Sequence, residues 1–278
     1  MNELSAAASK AANSISSRIR KGEVVVPLLP EVARKVLEVA NDADSDASQL
    51  AKIIQSDQSM AAHILRIANS PAYTPAGNIT SLQQAISRLG MQAMVEVAIA
   101  ASVNANMFHA PGYEQHIQSI LEGSLLTGLW AKEVARVSRR NVEAAFLCGL
   151  LHNIGRPMVL QWLSEMNTGL SEQEILSVES ALLLEANYAV VEKWGLPEIV
   201  LRGVCEYSGP LEDVPEAGLL VRAGQLFASW MLAERDKKLE DNTEHGGVLA
   251  LLTLYSAEIE KLKEKVDDVV QSREAMRV

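Results

Sequence analysis

Histidines, cysteines and carboxylates are the residue types that hold metals, move protons or attack substrates, and this chain is sparing with the first two. Its 278 residues include five histidines, at positions 63, 109, 116, 152 and 245, and two cysteines, Cys148 and Cys205. Metal and redox sites need such residues a few positions apart. Each cysteine stands alone in an apolar helical pattern, so both read as reduced core residues. His63 directly precedes Ile64, His116 follows Glu114 on a long helical pattern, and His109 and His245 fall in turn-like segments; none sits at ligand spacing from a cysteine or carboxylate. Nucleophilic catalysis would need a Ser or Cys with a base in reach, and no such set can be nominated. Neither familiar glycine-rich phosphate loop occurs. His152, taken alone, reads as a histidine at a helix end whose ring bonds a backbone carbonyl and a neighbour, with Asn153 favouring a turn at Gly155. Glu206 beside Tyr207 reads as a solvated helix end. Arg66, Asn69 and Ser70 form the most polar cluster in an apolar stretch. They are either a recognition patch or, more simply, Asn69 and Ser70 bonding backbone before Pro71 while Arg66 pairs with a carboxylate.

Helices must position these residues, because helical periodicity runs nearly throughout. Pro30 fits the first turn of a helix facing inward with Val32, Val36 and Val39, and Asn41 to Asp46 make a polar turn. Leu50, Ile53 and Ile54 mark a second helix. Asp57 caps a third, carrying Met60, Ile64 and Ile67, which stops at Ser70 because Pro71 follows. Thr80 and Gln83 form a capping-box pair ahead of Leu82, Ile86 and Leu89, and Gly90 sits where a helix-ending glycine belongs. The Tyr73 to Asn78 loop, with Pro75 and Gly77, reads as an exposed contact loop. Met91 to Met107 follows, then a linker from His109 to Gly112. Beyond it come a long helix from Tyr113 to Val137, a helix capped by Asn141 that runs through Leu150 and stops near Gly155, and a restart at Pro157. Ser171 and Glu174 make a second capping box, and the pattern continues, with a break, to Trp194-Gly195-Leu196-Pro197. Pro197 and Pro215 each fit the first turn of a further helix. Val24 to Val26 is the only strand-like run and is too short to found a sheet. The last pattern sets Ile259, Leu262, Val266 and Val269 in a seam of barely two heptads, better suited to a packed lid than to homodimerisation, which stays the alternative.

With 48% apolar and only 4% aromatic residues, the chain suits helices packed closely on small side chains. The formal net charge is −10. Residues 1–105 carry nine basic and nine acidic side chains and residues 106–278 sixteen and twenty-six, so the acid excess lies wholly in the second part. No basic stripe exists to grip nucleic acid. Met1 to Arg20 has no continuous apolar signal region. Met91 to Val103, the densest apolar stretch, is too short to span a bilayer and is broken by Gln92 and Glu96. A cytoplasmic protein that neither binds nucleic acid nor inserts into membrane is expected.

Five words in order carry a family resemblance. Leu29-Pro30 is followed by the helix opened by Asp57 and ending Leu65-Arg66-Ile67-Ala68-Asn69-Ser70, and then by Ala85-Ile86-Ser87-Arg88-Leu89-Gly90. Gly149-Leu150-Leu151-His152-Asn153-Ile154-Gly155 and Trp194-Gly195-Leu196-Pro197 come next. Together, over about Val26 to Tyr207, they resemble the HDOD domain, a relative of HD metal phosphohydrolases. The resemblance implies an all-α fold of two packed helical bundles, the second HD-like. It divides the chain into an N-terminal helix or tail (1–22), an N-terminal helical subdomain (23–108) and an HD-like bundle with a C-terminal amphipathic helix (109–278). It also implies a regulatory module in bacterial signalling that binds a protein partner or a small anionic ligand and needs no cofactor.

Catalytic HD sites hold divalent metals with imidazoles and carboxylates. The resemblance places the first such ligand at Gly123, which has no donor. His152 is retained, but its aspartate neighbour is Asn153. Later ligands fall near Leu183 and at Glu206 and Tyr207, which leaves His152 and Glu206 as the only plausible donors there. Hard cations need anionic oxygens, so a pseudoenzyme is expected and a divergent metal-dependent phosphohydrolase acting on a nucleotide or phosphoester is the alternative. The groove at the old metal position, lined by His152, Asn153, Arg156 and Glu206, would then be free to hold an anion through Arg156.

Overall fold

The computed structural model describes residues 4–42, 44–70, 79–104, 107–166, 168–233, 239 and 243–277. Among them it contains helices and no strand. In chain order they are α1 (Ala6–Arg20), α2 (Glu31–Asn41), α3 (Ala47–Gln55), α4 (Gln58–Ala68), α5 (Leu82–Leu89), α6 (Met91–Asn104), α7 (Glu114–Val137), α8 (Val142–Leu151), α9 (Gly155–Met166), α10 (Glu172–Lys193), α11 (Glu198–Cys205), α12 (Glu216–Ala233), α13 (Thr243–Leu251), α14 (Ser256–Lys263) and α15 (Val266–Met276). Side-chain caps start many of them. Asp57 accepts from the Met60 amide at 3.0 Å, Asn141 from Ala144 at 2.9 Å, and Ser171 and Glu174 close a reciprocal box. Gly90 ends α5 with φ +87°, a conformation that costs other residues a steric clash.

Four sequence expectations shift. The cap of α5 is Ser81, accepting from Gln84, and the Gln84 side chain reaches back to the Thr80 amide. That register, one residue later than the Thr80–Gln83 pair, is the one that buries Leu82, Ala85 and Ile86 together. Gly155 does not end α8; it opens α9 after a short turn. Helix α10 is unbroken, because Ile175, Val178, Leu182, Ala186 and Val190 keep helical spacing along one buried face. The final seam is divided between α14 and α15, with Ile259, Leu262 and Val269 buried. Both helices pack on α7, and α15 also touches α4 and α6, as a lid over the chain's own core. The Tyr73 to Asn78 loop lies outside the described residues.

Helices α2 to α6 pack together, and α7 to α12 form the larger assembly, in which α7 is flanked by α8 and α12. The α7–α8 contact is backbone on backbone: a Cβ added to Gly149 would lie 2.6 Å from Gly128 Cα. Trp130 on α7 stacks on Phe227 of α12 at 5.2 Å between ring centroids. Helix α6 meets α7 and α8, and a buried ion pair, Glu96 with Lys132, joins α6 to α7. Helix α1 does not stay with its sequence neighbours. It buries Ala8, Ala11, Ala12 and Ile15 and packs on α10 and α9. The chain then crosses to α2 through residues 23–30, whose carbonyls at Val25 and Pro27 accept from the indoles of Trp162 (3.3 Å) and Trp194 (2.8 Å). Backbone without a sheet or helix partner thus finds side-chain donors. No single helix among the described residues is long and apolar enough to cross a membrane.

Candidate functional site

The residues that follow α8 lie where α8, α9, α10 and α11 converge. His152 is buried, and its Nδ1 donates to the Gly149 carbonyl at 2.7 Å. Tyr207 packs edge-on against its ring, 5.5 Å between centroids. Burial chiefly, with the Arg156 charge adding to it, holds the imidazole down at about pKa 4 despite the carbonyl contact. His152 is therefore neutral at physiological pH.

Asn187 of α10 organises the surrounding backbone. Fully buried, it accepts from the Gly155 amide at 2.7 Å and donates to the carbonyls of His152 at 2.7 Å and Val204 at 3.2 Å. One side-chain amide thereby ties the end of α8, the start of α9 and the end of α11 to α10, satisfying groups that helix ends leave open.

The other inherited positions do not converge into a donor set. Gly123 lies exposed on α7, and a Cβ there would meet nothing within 4 Å. Asn153 lies in the turn before α9, and its carbonyl accepts from the Arg156 amide at 3.0 Å. Glu206 is exposed at the end of α11 and pairs with Arg202 at 3.1 Å. Tyr207, expected as part of a solvated helix end, is instead buried, with its carbonyl accepting from Arg222 at 2.6 Å. The apolar contact with the His152 ring accounts for that. Leu183 is half-buried on α10. Among the described residues, no group of three or more His, Cys, Asp and Glu is placed to hold a metal ion. A neutral, carbonyl-bound imidazole beside an amide supplies no anionic oxygen, so these residues do not fit a divalent metal.

A polar cluster does lie nearby, and it was not read from the sequence. Glu179 of α10 has a fully buried carboxylate; one oxygen contacts His116 Nε2 of α7 at 3.2 Å and the other has no partner among the described residues. Burial pushes its pKa up, against the pull of His116 and Arg156. Arg156 Nε is likewise buried, with no partner among the described residues. The local clue was the row Ile175, Glu179, Leu183 and Asn187 at steps of four, which sets both polar residues in line with apolar ones.

The second cluster behaves differently from expectation at two residues, Ser70 and Arg66. Asn69 does bond backbone, donating to Leu65 and Ile79 carbonyls and accepting from the Ile79 amide at 2.7 Å. Ser70 is buried, its hydroxyl without a partner among the described residues. Arg66 finds no carboxylate among the described residues; it donates to His63 Nδ1 at 2.6 Å and to the Arg277 carbonyl at 2.7 Å. The tail of α15 reaches it first.

The fold is all-helical and HD-phosphohydrolase-like, and its described residues bring no metal-holding group together. The HDOD domain family model matches residues 26–210, and the chain belongs to that family. A solved structure from Shewanella amazonensis SB2B, bearing the provisional name of a metal-dependent phosphohydrolase, superposes with TM-score 0.76 at 19% identity over 98% of each chain. A structure from Marinobacter aquaeolei VT8, provisionally named a signal transduction protein, gives 0.61 at 22% identity over 98% of this chain and 66% of that one. A Treponema pallidum (strain Nichols) protein of uncharacterised role is 22% identical over 233 residues, 77% of this chain and 42% of its own length. The chain thus spans less than half of that curated relative.

Proposed function

We propose that the chain is a non-catalytic regulatory module of bacterial signalling, acting in the cytoplasm through a protein partner. One observation carries this reading: at the position where the family resemblance puts a metal ligand, His152 is spent on the Gly149 carbonyl, and among the described residues no group of three or more His, Cys, Asp and Glu could hold a metal ion. What remains is a rigid helical scaffold, and such scaffolds commonly serve recognition once their chemistry is gone. The provisional signalling name of the Marinobacter relative agrees with it. We divide the chain at residues 109–112, a linker with Pro111 in it where the charge balance changes.

The second reading is a divergent metal phosphohydrolase, favoured by the Shewanella relative's name and by the buried Glu179–His116 pair. Metal analysis of protein purified without chelators, with phosphodiesterase and phosphomonoesterase assays on the same sample, decides between them. Sub-stoichiometric iron, manganese and magnesium with no turnover is expected. Stoichiometric metal with turnover would overturn the regulatory reading. Gly123→His combined with Asn153→Asp should recover metal only weakly, because Leu183 and Tyr207 still leave the set incomplete.

A further inference from the structure

A cavity of about 410 Å³ runs beside α4, within the range of ligand-sized pockets. Asp57, Met60, His63 and Arg66 line it at steps of three residues, and Pro30 and Ala101 are among the residues that enclose it. The two charges stand at opposite ends: nine residues of helix separate Asp57 from Arg66, about 13 Å. Neither forms an ion pair among the described residues. Asp57 uses one oxygen to cap α4. Arg66 uses Nη2 for His63 Nδ1 and the Arg277 carbonyl. Because a guanidinium can only donate, Nδ1 of His63 is the acceptor, so the proton of the neutral ring sits on Nε2. That Nε2 is buried and has no partner among the described residues. The cavity itself has an acidic end, a basic end and an apolar floor at Met60 and Ala101.

Building on the protein-binding reading above, we infer that this cavity seats an extended segment of the partner. The segment is about five residues long, with a basic side chain at the Asp57 end, an acidic one at the Arg66 end and small residues between. The four residue-to-residue steps of such an extended segment span roughly 13–14 Å, the separation of the two charges, and set its first and last side chains on the same face. Its end charges complement those at the two ends of the cavity.

The test is a heteronuclear NMR titration of the full chain with the blocked peptide acetyl-Lys-Ala-Ala-Ala-Glu-amide, alongside its all-Lys-ended and all-Glu-ended counterparts. Saturable shifts confined to α4, the start of α2 and the end of α6 are expected for the mixed peptide, with at least tenfold weaker binding of the other two. Asp57→Asn keeps the helix cap while removing the charge, and should erase the preference for Lys at one end. Arg66→Gln should erase the preference for Glu at the other, with helical circular dichroism confirming the fold of both. Absence of shifts at tens of millimolar peptide, shifts elsewhere, or equal binding by the variants would each overturn the assignment. Retention of an identified physiological partner by the double variant would overturn it too while leaving the regulatory reading intact, whereas metal-dependent turnover would strike the reading itself.

Discussion

A histidine sealed from water beside an arginine charge resists protonation even with its Nδ1 fixed to a helix carbonyl, and this makes His152 a stability element. Its folded-state pKa of about 4 lies below the ordinary 6.5. The stability it contributes is therefore complete above pH 6.5 and is lost as pH falls toward 4, since the unfolded chain takes up the proton first. A shift of this size corresponds to about 3 kcal/mol. His63, also held to about 4 by burial and by Arg66, acts in the same direction. We expect His152→Gln to reduce the difference in unfolding free energy between pH 7 and pH 4.5 by about 2 kcal/mol, measured in urea at both values. An undiminished difference would mean that the ring gains its proton freely in the native protein. At this scale His152 and Asn153 were legible because they lie in one contiguous word. The His116–Glu179 contact was not, because its members are 63 residues apart and neither carries a local signature of the other.

Helices set the distances on which such residues depend, and the α7–α8 contact has the least slack. Gly128 and Gly149 let two backbones meet, so added volume at either cannot be absorbed by a side chain turning away. Gly149→Ala is expected to destabilise the protein by roughly 3 kcal/mol, the upper part of the usual overpacking range. It should also shift the environment of His152 one turn away. Denaturant midpoints together with the His152 ring resonances check this; a cost below about 0.5 kcal/mol, the level of an ordinary surface change, would show that the two helices part easily. Helix starts were largely readable, since Asp57, Asn141 and Ser171 are caps with a local chemical reason. Where two capping residues adjoin, as at Thr80 and Ser81, local chemistry does not choose. The burial of Leu82 and Ile86 chooses, and that is tertiary information.

Across the whole molecule, the Glu96–Lys132 pair is the buried electrostatic tie between α6 and α7. Lys132 also lies over the Phe146 ring, 5.3 Å from its centroid. Burial raises the Glu96 pKa and the lysine opposes the shift, so the carboxylate depends on its partner. Lys132→Met should cost about 3–5 kcal/mol by stranding Glu96, and pairing it with Glu96→Leu should restore most of the loss. Unfolding free energies of the single and double variants decide it; a double variant no better than the single would show that the lysine acts mainly through other contacts. The sequence conveyed the all-helical class and the family words, because periodicity and short motifs are local. It could not convey that α1 belongs with α10. Met1 to Arg20 is rich in alanine and serine, and its small buried stripe looks the same whichever helix receives it.

That placement bears on how the chain acquires its shape during synthesis. Ser5 meets Glu174, a separation of 169 residues. At common ribosomal speeds the opening helix must wait on the order of ten to thirty seconds for its docking face to emerge. Throughout that interval the Ala8–Ile15 stripe is uncovered, mild enough in its alanines to stay in water without recruiting a neighbour.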